Sequence, residues 1–195
     1  MSAPICYRAA HVEDAAAIAH GIVQAGDGFL EFALVDLPPQ MPLVTVLTPH
    51  LGQPEGVFSY RNSDVAVVDE TIVGVIVSFP AEQNDASPEF LQLIPSDRLA
   101  ALDDFFNAAL PESWYIDTLW VDAAYRRRGI GGGLIEQAQA RAQAANRSTL
   151  SLMAWADKPE TLAFYAAQGF EVVKPVPVGQ HPALRHAEGF LLLQR

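Results

Sequence analysis

The stretch that most limits what this chain can fold into is WYIDTLWVDAAYRRRGIGGGLIEQAQARAQAAN, residues 114–146. A β-rich run, 114 to 121, leads through DAAYRRR into glycines and then into a segment where Leu134, Ile135, Ala138, Ala142 and Ala145 recur at helical spacing up to Asn146. The unit reads as strand, loop, helix. A glycine loop there offers backbone N–H groups with little steric cover, beside the positive end of a helix dipole. Phosphate is the natural guest, and three arginines add charge-assisted donors suited to a pyrophosphate or a 3′-phosphate.

What the loop lacks narrows the guest. A nucleoside-triphosphate loop needs Lys and then Ser or Thr after its last glycine, whereas Leu134 and Ile135 follow Gly133. A dinucleotide fingerprint needs a third glycine where Leu134 stands, and an acid about twenty residues on, where the chain reads TLSLM. Both readings weaken. The chain as a whole is acidic, with a formal net charge of −11, but the first 120 residues hold seventeen of the 23 acidic side chains and only three of the twelve basic ones. That balance disfavours nucleic-acid binding, which depends on many phosphate contacts, and leaves room for one anionic ligand at the basic C-terminal part.

The remaining chain reads as further strands and helices. A short strand ends near Arg8, and a helix with Ala16, Ile18, Ala19, Ile22 and Val23 on its apolar side stops near Gly26. One or two short helices fit the Pro-punctuated stretch from Gly28 to Asn62, including LPPQMP. Two β-rich runs, 65–69 and 72–79, flank Asp69-Glu70-Thr71 as a hairpin that Pro80 ends. Residues 81–113 form an insertion whose helix has Ser96 as N-cap and is placed to cover a cleft. STLSLMAW is a strand. The helix after it starts with Asp157 as N-cap, Glu160 completing a capping box and Pro159 in the first turn, and Gly169 caps its end. FEVVKP and AEGFLLLQR are the last strand candidates. At 195 residues a single domain spanning 1–195, with the insertion at about 81–113, is expected.

Lone Cys6 excludes an intramolecular disulfide framework, and MSAPICYRAA lacks a secretory pattern, so a reducing cytoplasm is expected. No apolar run approaches the roughly 18 residues of a membrane span. The histidines lack metal-ligand spacing, so no metal is expected, and His181 and His186 read as ordinary surface residues. Trp114, Tyr115, Trp120 and Trp155 read as core packing that can also line an acceptor site.

LWVDAAYRRRGIGGGLIEQA resembles the acetyl-CoA loop of the GNAT superfamily of N-acetyltransferases, whose signature of Arg or Gln, two residues, Gly, one residue, Gly or Ala is filled by Arg126, Gly129 and Gly131. DKPETLAFYAAQGFEVV resembles the second signature, with Tyr165, Gly169 and Phe170. The resemblance implies an α/β (α+β) fold: a mixed, mostly antiparallel sheet flanked by helices, with a splay between two central strands. It further implies that backbone around Arg126, Arg127, Arg128, Gly129, Ile130, Gly131 and Gly132 holds the CoA pyrophosphate, and that the pantetheine arm lies along Leu119, Trp120 and Val121. Lys158 stands where the family often has a cofactor-binding Asn.

The implied activity is N-acetylation of a primary amine on a small molecule or peptide, by direct attack in a ternary complex, with acetyl-CoA as donor. The alternative is a non-catalytic acyl-CoA-binding or regulatory module. A homodimer is compatible with the reading, and neither nucleic acid nor membrane is an expected partner. Such chemistry needs a neutral amine, a donor for the developing oxyanion and a proton for the leaving thiolate. Tyr165, which the motif places near the sulfur, is the candidate acid, although beside Leu162 and Ala166 it also fits a core position. Asp117 is the candidate base, since strict alternation puts it on one face with Tyr115, Leu119 and Val121. The acidic N-terminal part hints at a cationic acceptor such as a polyamine, an amino sugar or a lysine-like group.

Overall fold

A computed structural model describes residues 3–34, 41–84 and 91–195. Its centre is a seven-stranded sheet in the order β1-β2-β3-β4-β5-β7-β6, comprising β1 (Cys6–Ala9), β2 (Ser63–Val68), β3 (Thr71–Pro80), β4 (Trp114–Val121), β5 (Leu150–Trp155), β6 (Glu171–Val176) and β7 (Phe190–Gln194). Every neighbouring pair is antiparallel except β4 and β5, which are parallel. The β2–β3 turn works without Asn-Gly because Asp69 and Glu70 both take positive φ, 46° and 64°, the backbone that a tight hairpin requires.

One face of the sheet is covered by α1 (Ala15–Gly26), α2 (Phe29–Ala33), α3 (Leu43–Leu51), α4 (Ser96–Ala101) and α5 (Asp103–Phe106). Ala15, Ile18, Ala19 and Ile22 of α1 recur every three or four residues and are buried in this layer. Gly21 lets the helix come close: a Cβ there would stand 3.2 Å from the Val75 Cβ. The opposite face carries α6 (Ile130–Ala144) and α7 (Pro159–Ala167), with Ile130, Leu134, Ile135, Ala138 and Tyr165 in its core. Among the described residues, no helix is long and apolar enough to cross a membrane.

Several local expectations change. The glycine run is not all loop: Gly131, Gly132 and Gly133 form the first turn of α6, which starts at Ile130. Their missing side chains are used for packing, since a Cβ on Gly131 would stand 2.9 Å from the Phe164 ring and one on Gly133 2.3 Å from the Tyr7 phenol. The α4 N-cap is Pro95, and Ser96 is already helical. The capping box at α7 does not form: the cap residue is Lys158, and the Asp157 carboxylate is turned to His186. The insertion is described except for residues 85–90, and LPPQMP falls largely at 35–40, also outside the described residues.

Candidate active site

β4 and β5 part early. Their ladder consists of Trp114–Leu150, Tyr115–Ser151 and Ile116–Leu152, so from Asp117 onward the β5-facing edge of β4 has no strand partner among the described residues. The two strands diverge into a groove at the middle of the sheet. The opening starts where β4 is irregular: Val77 pairs with Thr118 and Ser78 with Ile116, leaving Asp117 unpaired as a β-bulge. The bulge breaks the expected alternation. Tyr115 and Trp120 lie on the α1 face, whereas Leu119 and Val121 lie on the α6–α7 face, so Asp117 does not share one face with all of them.

At the C-terminal end of β4 the chain forms a row of donors. Asp122 caps the next turn through the Ala124 N–H at 2.8 Å, and Arg127 and Gly129 then adopt positive φ, 64° and 80°. Among the described residues, none of the six backbone N–H groups from Arg127 to Gly132 donates to another part of the chain; the first closed bond is Gly133 N–H to the Gly129 carbonyl at 3.0 Å. Alternating backbone of this kind, ending in a helix N-terminus, concentrates partial positive charge in a concave row. The three arginines differ in their tethering. Arg126 donates to the Val121 carbonyl at 3.1 Å, and Arg128 lies 5.0 Å from the Tyr125 ring centroid and reaches the Ala124 carbonyl. Arg127 is exposed and makes no hydrogen bond or ion pair among the described residues. A diphosphate fits these donors, and an extended arm fits the unpaired edge of β4.

Three ionisable groups with raised pKa values centre on Tyr115, in the short ladder from which the groove opens. Asp117 is enclosed by protein yet keeps part of its surface open, and desolvation pushes its carboxyl up to about 6 although the Thr118 hydroxyl donates to it at 2.8 Å. Burial raises the Tyr165 phenol above its ordinary value. Burial also raises Tyr115, and the negative charges of Asp117 and of ionised Tyr165 act on it in the same direction, so each of the two lies within electrostatic reach of Tyr115. Tyr115 and Tyr165 come from opposite faces of the sheet. The sequence reading gave Tyr115 to core packing that can also line an acceptor site, and nothing in WYIDTLWV signals the bulge at Asp117.

A second cluster lies at the end of β5. His186 is 4% exposed, its Nδ1 lies 2.9 Å from Asp157 Oδ1 and its Nε2 3.2 Å from the Asp27 carbonyl oxygen, and its ring lies 4.5 Å from that of Trp155, tilted by 32°. It is not the ordinary surface residue expected, because two acids distant in sequence enclose it. Lys158 is engaged as well: its ammonium pairs with Asp27, whose carboxyl is held below the ordinary range first by that hydrogen bond. Among the described residues, no group of three or more His, Cys, Asp or Glu side chains is arranged to hold a metal ion.

With this geometry in view, the comparisons with known proteins are specific. The acetyltransferase (GNAT) domain family matches residues 60–172, more than half of the chain. No curated protein matches the sequence. Among solved structures, an acetyltransferase superposes with a TM-score of 0.69 at 23% identity, covering 97% of this chain and 98% of that one. An N-acetyltransferase from Staphylococcus aureus Mu50 gives 0.69 at 21% identity over the same shares, and the PaiA N-acetyltransferase from Thermoplasma acidophilum, in complex with coenzyme A, gives 0.53 at 12% identity over 98% of each chain. At these identities the structures establish the shared fold.

Proposed function

The chain belongs to the GNAT acetyltransferase family, and from that premise we propose that it transfers an acetyl group from acetyl-CoA to a primary amine, by direct attack within a ternary complex. The observation that carries the proposal is the junction of two features: the N–H row from Arg127 to Gly132 and the groove that opens at Asp117. When bound, the cosubstrate supplies an acyl thioester. The row and Arg127 would hold its diphosphate, and the unpaired edge of Leu119, Trp120 and Val121 would receive its extended arm. Lys158, engaged by Asp27, would act on the cofactor indirectly, by holding the loop before α7.

Asp117 and Tyr165 divide the proton work. An alkylammonium of pKa about 10.4 is well under 1% neutral at pH 7, so attack needs a base. An Asp117 carboxyl near 6 is ionised at pH 7 and accepts a proton more readily than an ordinary aspartate. A Tyr165 phenol raised by burial keeps its proton at neutral pH, and a thiol of pKa about 8.5 is the stronger acid, so a hydrogen bond to the departing sulfur describes its role better than full transfer. A backbone N–H of residues 119–121 on the open edge would meet the developing negative charge on the carbonyl oxygen. Titration of the purified chain with CoA, followed by an assay of thiol release from acetyl-CoA over a panel of amines, tests the proposal; no CoA binding together with no thiol release sinks it.

A further inference from the structure

We infer that the acceptor is a small free amine and not the terminus or a side chain of a polypeptide; the inference rests on the acetyl-transfer reading above. A donor held by the N–H row at the start of α6 enters the β4–β5 groove from the face that α6 and α7 cover, so the amine has to arrive from the other face. Three segments far apart in sequence roof that face: the α1–α2 turn at Asp27, the α4–α5 pair, and the β6–β7 connection, residues 177–189. The connection lies there because β7 inserts between β5 and β6, which puts Phe190 beside Trp155 with their rings stacked at 3.7 Å.

Each segment is fastened to the others. The Gly179 N–H donates to the Ala101 carbonyl at 2.8 Å, and a Cβ on Gly179 would stand 2.9 Å from the Ala101 Cα, so the β6–β7 connection and α4 touch backbone to backbone. Arg98 of α4 donates to the Phe32 carbonyl of α2 at 2.5 Å and lies 4.9 Å from the Phe32 ring centroid. Phe105 of α5 reaches Phe29 and Phe190, both at 4.8 Å between centroids. Asp27 takes Arg185 of the connection at 3.0 Å and also pairs with Lys158, while His186 bridges Asp27 and Asp157.

An extended peptide needs a trough, with neighbouring backbone about 4.8 Å away on each side and about 3.3 Å of length per residue. Among the described residues, the backbone contact of Gly179 with Ala101 leaves no such trough between the β6–β7 connection and α4, and the side-chain ties at Arg98, Phe105 and Asp27 narrow the rest. A primary amine on a slender carbon chain needs only a narrow entrance, so closure selects by width.

The test uses the purified full chain with acetyl-CoA and two matched sets of acceptors: spermidine, glucosamine and free lysine, against a hexapeptide with a free N-terminus and an N-terminally blocked peptide containing one lysine. The best small amine should exceed both peptides in kcat/KM by at least about 100-fold, a margin that steric exclusion from a pocket supplies. A peptide within about tenfold of the best small amine overturns the inference, as does a chain that binds acetyl-CoA and leaves all three small amines untouched. Arg98→Ala, checked for folding by circular dichroism, should raise the peptide-to-amine ratio by loosening α4 from α2, and an unchanged ratio in a folded variant also counts against closure. CoA binding is titrated in parallel: its loss in the wild-type chain points to failure of the acetyl-transfer reading, which these acceptor ratios would not reveal.

Discussion

Thr118 donates a 2.8 Å hydrogen bond to Asp117, the single residue of β4 between Trp114 and Val121 that has no partner on β3. The bond favours the charged carboxylate, but desolvation outweighs it and leaves the carboxyl near 6. Folded Asp117 therefore holds its proton more tightly than the unfolded chain does. Its contribution to stability is greatest below about pH 4, falls as the pH rises to about 6, and stays low above that. Asp117→Asn should raise the thermal midpoint at pH 7, by the equivalent of about 1–3 kcal/mol, and by much less at pH 4. The same variant should lower kcat/KM by about 100-fold or more and abolish the acid limb near pH 6. Thermal melts at the two pH values and a pH–rate profile check both halves; a destabilised Asn variant at pH 7 contradicts the desolvation account.

Tyr165→Phe keeps the ring contacts with Phe164 and Phe170, at 5.3 and 5.5 Å between centroids, and removes only the hydroxyl. Turnover should fall by about 10- to 100-fold while the CoA dissociation constant stays within about twofold. Single-turnover kinetics beside calorimetric titration separates the two, and an unchanged rate ends the assignment of Tyr165 as acid.

Arg127 carries a positive φ of 64° that costs an L-residue about 1 kcal/mol or more. Arg127→Gly removes both that strain and a cation carried by the first residue of the N–H row. The variant should melt at the same temperature or slightly higher, yet bind CoA about tenfold more weakly at low salt, with the deficit shrinking as salt is added. Equal salt dependence in the variant and the wild-type chain would place the diphosphate elsewhere.

Arg141 of α6 donates to both carboxylate oxygens of Asp64, at 2.5 and 3.0 Å, and to the carbonyls of Arg61 and Ser63. Asp64 is 5% exposed, so Arg141→Ala strands a buried carboxylate and should cost about 3–5 kcal/mol in denaturant unfolding. Adding Asp64→Ala should recover part of the loss, because the stranded charge goes with it.

The donor loop was legible because its information is local: three arginines, a glycine with free φ and a helix start lie within a few residues. Most of the strands and helices around it followed from hydrophobic runs and turn residues, whereas their order in the sheet did not. The bulge was not legible, since YIDTLWV alternates as plausibly without it as with it, and only the pairing with β3 exposes the extra residue. The same holds for His186, whose partners Asp157 and Asp27 stand 29 and 159 positions away. Asp157 was misjudged for a physical reason: a local capping bond and a distant imidazole compete for one carboxylate, and the imidazole holds it. Gly131 and Gly132 were credited to the ligand, although Phe164 and Gln168 occupy the space that their side chains would fill, as Tyr7 does at Gly133.

Among the described residues, three rungs, at Trp114, Tyr115 and Ile116, are the only ladder joining the β1–β4 half of the sheet to the β5–β7–β6 half. Mechanically the sheet is a pair of blades riveted at one end, with its weakest seam through its centre instead of along an edge. A ligand arm lying in the seam would add the missing crossbars, so the stiffness of the two blades against each other becomes a property of the complex. Amide hydrogen exchange along 117–121 and 153–155 would then slow together on ligand binding, the two strands behaving as one cooperative unit only while the seam is filled.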